Sequence, residues 1–166
     1  DLLLVRRHGE SGLYIASATA VMGGAPSTIL DEPPLLLGGS DVIENASFFT
    51  DARISAVVSV TDKTPPPEVV ESAGLRVHHV NVEDRPEVRL APHLAGTTEF
   101  IRSERAAGRG VYVHCTAGIS RSTTVTAAYL METLALSDLE ALGHIQRCRE
   151  SVCPNEGFRR ELCELA

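Results

Sequence analysis

Residues 114 to 121 read His-Cys-Thr-Ala-Gly-Ile-Ser-Arg, and Ser122 follows directly. Five small or neutral residues separate Cys115 from Arg121. The run Val111-Tyr112-Val113 ahead of them reads as a strand, and Ser122 to Leu134 is compatible with a helix. A strand that passes through a short loop into a helix aims successive backbone N–H groups at one point, where the helix dipole also favours negative charge. The pattern is that of a phosphate cradle with a thiol at its floor.

The residue types fit that chemistry. A phosphate monoester dianion meeting a thiolate gathers about three negative charges, so the loop must supply several donors and a fixed cation. Thr116, Ala117, Gly118, Ile119, Ser120 and Arg121 are the expected phosphate-binding positions. Gly118 can take a positive φ and has no side chain to obstruct the curl. Arg121, at the first helical turn, offers a planar fork to two phosphate oxygens, a geometry lysine cannot match. Cys115 sits where dipole, amides and Arg121 all favour the thiolate, so its pKa should fall below the free value of about 8.5. The hydroxyl of Ser122 can hydrogen-bond that sulfur and help it leave in a second step.

A leaving oxygen needs a proton, which a carboxylic acid can supply before activating water as a carboxylate. Asp84 is the candidate. It follows the alternating run Val77-His78-His79-Val80-Asn81-Val82, which reads as a strand ending beside the loop. The competing reading is a turn aspartate ahead of Arg85-Pro86. Glu83 should point to the opposite face; Glu83 and Glu87 are the fallback acids. His114, adjacent to the nucleophile on a buried strand, should face away from it and hydrogen-bond the loop backbone. The other five histidines show no ligand spacing, so neither a metal nor another cofactor is expected. Arg149 either contacts an anionic substrate or complements a helix C-terminus, and Arg85 either lines the cleft or is surface charge.

His-Cys-Thr-Ala-Gly-Ile-Ser-Arg-Ser resembles the active-site loop of the dual-specificity subgroup of cysteine-dependent protein phosphatases. Leu35 to Ser40 is similar to that family's first core strand and turn, and Ile54 to Thr61 to its next strand. Asn81 to Pro86 resembles the loop carrying its general acid, with Asp84 lying 31 residues before Cys115. Pro154-Asn155-Glu156-Gly157-Phe158 resembles its closing helix, whose asparagine, here Asn155, would brace the phosphate loop. The resemblance covers about residues 35 to 165 and implies a protein phosphatase acting on phosphotyrosine and on phosphoserine or phosphothreonine through a cysteinyl-phosphate, with a phosphoprotein as partner. The loop lacks the extra lysines of phosphoinositide-directed relatives, and Ser120 stands where glucan-binding relatives carry glycine. The competing readings are a phosphate-reading adaptor without turnover, and a phosphatase for a non-protein ester. The mid-chain position of Cys115 disfavours an arsenate-reductase loop. Which phosphoprotein is used is not legible.

Composition bounds the rest. A chain of 166 residues, 43 % hydrophobic, suits one domain with a core. No apolar run approaches the roughly 18 residues of a membrane span, so no membrane partner is expected. A net charge of −7 argues against nucleic acid as a partner. Lys63 is the lone lysine. Cys148, Cys153 and Cys163 show neither zinc spacing nor a secreted-scaffold pattern and are expected to be buried packing residues, with a role as redox partner of Cys115 left open. A low-pKa nucleophile needs a reducing compartment, so an intracellular location, cytoplasmic or nuclear, is expected. The chain starts at Asp1 rather than methionine, as a piece of a longer protein would, and the missing leader carries no weight. Oligomeric state leaves no signal.

The elements that must position these residues alternate between strand and helix. Residues 1–34 are an unassigned arm or extra strand, in which Leu13 to Ser17 faintly echoes Leu35 to Ser40; residues 35–166 form the phosphatase-like domain. Ser40 is expected to cap a helix running to about Arg53. Ile54 to Val60 and Arg76 to Val82 read as strands, and Glu68 to Ala73 as a short helix stopped by Gly74. Pro92 to Ala107 reads as a helix. Ser137 and Glu140 form a capping box for Asp138 to about Glu150, and Asn155 caps the last helix. The fold class that follows is α/β: a mostly parallel, roughly five-stranded sheet with helices on both faces and the phosphate loop between a central strand and the next helix.

Overall fold

The apolar runs of the central strands are buried on both faces, as a parallel sheet between helices requires. In the computed structural model, which describes residues 25–165, five strands form one sheet in the order β1-β2-β5-β3-β4. They are β1 (Ser27–Leu30), β2 (Leu35–Gly38), β3 (Ile54–Ser59), β4 (Arg76–His79) and β5 (Gly110–His114). All neighbours pair in parallel except β1, which runs antiparallel to β2 at the edge. The mostly parallel α/β class read from the sequence is the one observed.

Alternation along each strand divides the core in two. Leu35 and Leu37, Ala56 and Val58, Val111 and Val113 face one side, covered by α3 (Ala91–Ala106), α4 (Arg121–Leu134), α5 (Asp138–Cys148) and α6 (Glu156–Leu165). Leu36, Val57 and Tyr112 face the other, against α1 (Ala46–Asp51) and α2 (Pro67–Ala73), where Phe49 and Val69 complete a smaller cluster. The central strand β5 is fully buried. It lies between β2 and β3, so the loop after it opens at the middle of the sheet's carboxyl edge.

Local signals explain several helix ends. Ser137 and Glu140 form the reciprocal capping box of α5. Gly74, at φ +62°, closes α2 in the left-handed region. Asn155 accepts from the N–H of Phe158 at 3.0 Å and so caps α6. α3 has no capping side chain of its own. Its first N–H groups are satisfied from α6 instead, where the Glu161 carboxylate accepts from Leu90 and Ala91 at 2.9 and 3.0 Å.

Three expectations change. The helix expected from Ser40 to about Arg53 is a single 3-10 turn at Ser40–Val42 followed by α1, whose cap is Asn45. Ser40 is spent elsewhere: its hydroxyl and its N–H both donate to the carbonyl of Thr116. β4 stops at His79 rather than Val82, because pairing with β3 ends at Ser59, which frees residues 80–90 as an irregular loop. Cys153 and Cys163 are exposed and Cys148 is half-buried, so these thiols are not the buried packing expected of them. Upstream of residue 35, Ser27–Leu30 forms the antiparallel edge strand. Residues 1–24, including the echo at Leu13 to Ser17, lie outside the described residues.

Candidate active site

Where the carbonyls of a loop point decides where its amides point, because each peptide plane carries the two in opposite directions. After β5, every carbonyl from Thr116 to Ser120 is turned outward and engaged. Thr116 accepts from the N–H of Ser40 at 3.1 Å, Ile119 from that of Cys153 at 2.9 Å and Ser120 from that of Thr124 at 2.9 Å. Ala117 and Gly118 accept from the guanidinium of Arg149 at 3.2 and 2.9 Å. None of the N–H groups of Ala117 to Ser120 donates to a backbone carbonyl among the described residues, and those of Gly118 and Ile119 are turned toward the Cys115 sulfur. They are left facing inward, a nest for an anion.

Two glycine contacts make the curl possible. Gly118 has φ +68°, and a Cβ there would lie 2.4 Å from the carbonyl carbon of Gly38 and 2.8 Å from the nitrogen of Gly39. A Cβ on Gly39 would in turn lie 3.0 Å from the carbonyl oxygen of Thr116. Backbone thus packs on backbone between the turn after β2 and the loop after β5. The hydroxyl of Tyr112 adds a tie from below, donating to the Gly39 carbonyl at 2.6 Å.

Cys115 lies at the floor of the nest with 1 % of its surface exposed. Burial pushes its thiol up, but the Ser122 hydroxyl and the backbone N–H groups of Ser122, Ile119 and Gly118 more than offset that, and the pKa falls below the ordinary cysteine value. The Ser122 hydroxyl donates to the sulfur at 3.2 Å. His114 faces away from it, as strand alternation requires. Its Nε2 meets the Ser59 hydroxyl at 2.7 Å and its Nδ1 the Cys115 carbonyl at 3.3 Å, while its ring stacks on Tyr112. Burial holds His114 down at a pKa of about 4, so it is neutral near pH 7.

Arg121 opens α4 with a side chain only 11 % exposed. Its Nη1 donates to the Val82 carbonyl at 3.0 Å and its Nη2 to the Thr116 hydroxyl at 2.9 Å, while Thr61 meets that same hydroxyl at 3.2 Å. Nε is buried and has no partner within hydrogen-bond distance. An anion in the nest would satisfy it.

The carboxylate brought to the nest is that of Asp84. Its Oδ1 accepts from the Ser120 hydroxyl at 2.7 Å and from Asn155 Nδ2 at 2.9 Å, and its Oδ2 lies 3.8 Å from Arg121 Nε. Asn155 also donates its N–H to Ser120 at 3.1 Å, so loop, acid and closing helix meet at one point. The fallback carboxylates do not come near. Glu83 and Glu87 both pair with Arg85 on the surface, their side chains 71 % and 62 % exposed.

Arg149 corrects the sequence reading on both counts. It is neither a rim cation for substrate nor a solvated charge at a helix end. It is 8 % exposed and is consumed by carbonyls: those of Ala117 and Gly118, and that of Ala25 at 2.8 Å. It fastens the back of the loop to the chain entering β1. Ser120 was expected only as a phosphate ligand, and its bond to Asp84 is an addition, as is the Gly38-Gly39 turn. No group of three or more His, Cys, Asp or Glu side chains among the described residues is placed to hold a metal ion.

Comparison with known proteins agrees with this geometry. Residues 35–166 match the family model described as the dual specificity phosphatase catalytic domain. Dual specificity protein phosphatase 12 of Rattus norvegicus is 33 % identical over 147 residues, covering 89 % of this chain and 43 % of that protein. Dual specificity protein phosphatase 15 of the same species is 36 % identical over 144 residues, covering 87 % and 58 %. This chain therefore spans less than two thirds of the length of either. Among solved structures, human DUSP28 superposes with a TM-score of 0.73 at 29 % identity, over 79 % of this chain and 90 % of that one.

Proposed function

Because the chain belongs to the dual specificity phosphatase family, we propose that it hydrolyses phosphotyrosine and phosphoserine or phosphothreonine on proteins through a cysteinyl-phosphate. The observation that carries the reading is the ring of outward carbonyls from Thr116 to Ser120, which leaves inward amides above a thiol with a lowered pKa.

In the first step the phosphoryl group enters the nest, its oxygens taking the free amides and Arg121. The Cys115 thiolate attacks phosphorus, the phosphorus–oxygen ester bond breaks, and the Asp84 carboxylic acid protonates the departing oxygen. In the second step Asp84, now a carboxylate, takes a proton from water as that water attacks phosphorus. The sulfur leaves as thiolate, stabilised by the Ser122 hydroxyl, and inorganic phosphate is released. Positive field from Arg121 and the amides balances the developing charge, so these residues ask for neither a metal nor an organic cofactor.

A thiolate nucleophile survives only where oxidation is held in check. All four cysteines are free thiols, which supports a reducing, intracellular location for the domain. No helix among the described residues is long and apolar enough to cross a membrane.

The test is to quench turnover of a phosphopeptide in acid and map the phosphorus. Phosphate on Cys115, absent in Cys115→Ser, is the expected result. Binding of the phosphopeptide with no release of phosphate would make the domain a phosphate-reading module instead.

A further inference from the structure

Asp84 touches Asn155, a Cβ on Gly157 would meet Pro86, and Glu161 caps Leu90. The sequence separation is 71 for the first and last of these pairs, and Pro86 to Gly157 shares it. The acid loop therefore runs alongside α6 in a fixed register, entering with the acid itself at the helix cap. We infer that α6 is a rail that sets the height of Asp84 over the nest, with Gly157 and Glu161 as its positioning residues. The inference rests on the reading of Asp84 as general acid.

The contacts are of three kinds. At the cap, the Asn155 amide donates to the Asp84 carboxylate. Two residues on, the backbone of the acid loop lies directly against α6: a Cβ on Gly157 would stand 2.0 Å from the Pro86 carbonyl oxygen and 2.8 Å from its Cα. Both obstacles are backbone, so no side-chain rotation relieves them. At the far end, Glu161 is 8 % exposed and accepts from the N–H groups of Leu90 and Ala91 and from Arg89 Nε at 3.2 Å. Gly157 and Glu161 are spaced i, i+4 and so share one helix face. Phe158 and Leu162, both fully buried, seat the helix on the main core, so the rail is rigid.

The rail does not touch the reacting atoms, and its removal should act through Asp84 alone. Gly157→Ala pushes Pro86 off the helix and lifts Asp84, two residues earlier, from Ser120 and Asn155. Glu161→Gln keeps an acceptor for the amides but loses the charge; Glu161→Ala loses both. A merely structural role predicts equal losses on every substrate, because strain of the new Cβ against Pro86 would lower the folded population without regard to the leaving group.

The experiment compares the wild-type chain, Gly157→Ala, Glu161→Gln, Glu161→Ala and Asp84→Asn on phenyl phosphate and para-nitrophenyl phosphate across pH. A poor leaving group needs the acid and a good one does not. For Gly157→Ala and Glu161→Ala, kcat/KM on phenyl phosphate, which reports formation of the cysteinyl-phosphate alone, should fall about tenfold or more, within the ~10²–10⁴ that a general acid supplies. On para-nitrophenyl phosphate the loss of kcat/KM should be less than about threefold, with a flattened alkaline limb. Glu161→Gln should fall between Glu161→Ala and wild type. Equal losses on both substrates, or none, overturn the rail. Should Gly157→Ala fail to fold, the two Glu161 variants decide. If Asp84→Asn itself shows no leaving-group dependence, the acid assignment falls with it; if Asp84→Asn does and the α6 variants do not, only the rail is lost.

Discussion

Asn155 Nδ2 donates to Asp84 Oδ1 at 2.9 Å, joining the cap of the last helix to the acid across 71 residues of chain. The same oxygen accepts from Ser120 at 2.7 Å, so the carboxylate is held over the loop before any substrate arrives. Asp84→Asn retains the shape but cannot protonate a leaving group. Its kcat on a phosphopeptide should fall by about 10² or more, with KM little changed. Single-turnover release of dephosphorylated peptide measures this directly, and wild-type rates would move the acid elsewhere.

Ser122 is the sulfur's only hydroxyl donor among the described residues, at 3.2 Å. It lowers the pKa of the Cys115 thiol, and in the proposed second step it would support the sulfur as the leaving group. Ser122→Ala should raise the apparent pKa of Cys115 and slow hydrolysis of the cysteinyl-phosphate more than its formation. Iodoacetamide alkylation against pH reads the first effect. Accumulated phosphoenzyme after a rapid quench reads the second.

His114 is buried and neutral, its pKa held at about 4 in the folded protein by burial. The unfolded chain protonates near pH 6.5. Below that value the unfolded state binds the extra proton and the folded state does not, so stability is full above about pH 6.5 and is lost as pH falls toward 4. The change amounts to as much as about 3 kcal/mol across that window. Denaturant melts of wild type and His114→Gln should converge in their pH dependence only above it. Identical slopes in both proteins would show that His114 is not the group responsible.

Arg149 satisfies two loop carbonyls from a buried position. Arg149→Leu leaves those acceptors without partners, at a cost of about 1–3 kcal/mol each where no water enters. Thermal unfolding should report the lost stability. Affinity for orthovanadate, a mimic of the transition state, should fall as well, since the inward amides lose their backing. A rim role would instead weaken substrate binding and leave stability unchanged.

What could be read from the sequence was what local spacing determines. The nucleophile, arginine and serine lie within eight residues, whereas Asp84 is singled out chiefly by the resemblance of Asn81 to Pro86 to a known acid loop, since the strand expected to lead to it ends at His79. The capping box at Ser137 and the Asn155 cap are local too. What escaped reading depends on partners distant along the chain. Ser40 has the type of a helix cap, but a carbonyl 76 residues away takes its hydroxyl, and Asn45 caps α1 instead. Arg149 stands at a helix end, where sequence logic suggests charge complementing a dipole. Only the folded chain shows that the side chain turns inward to carbonyls. Glu161 looks like any acidic residue on an amphipathic helix, and its task as the cap of α3 is set by packing alone.

The interlock of Gly118 with Gly38 and Gly39 makes the signature loop unportable. Transplanted by itself onto another strand–helix junction, the segment from His114 to Ser122 would arrive without the bare backbone it closes upon. Half of its mould lies in Leu37-Gly38-Gly39-Ser40, in a different strand and far upstream. A designer grafting this chemistry would have to move both pieces together, and anyone scanning genomes for working copies should ask for the pair.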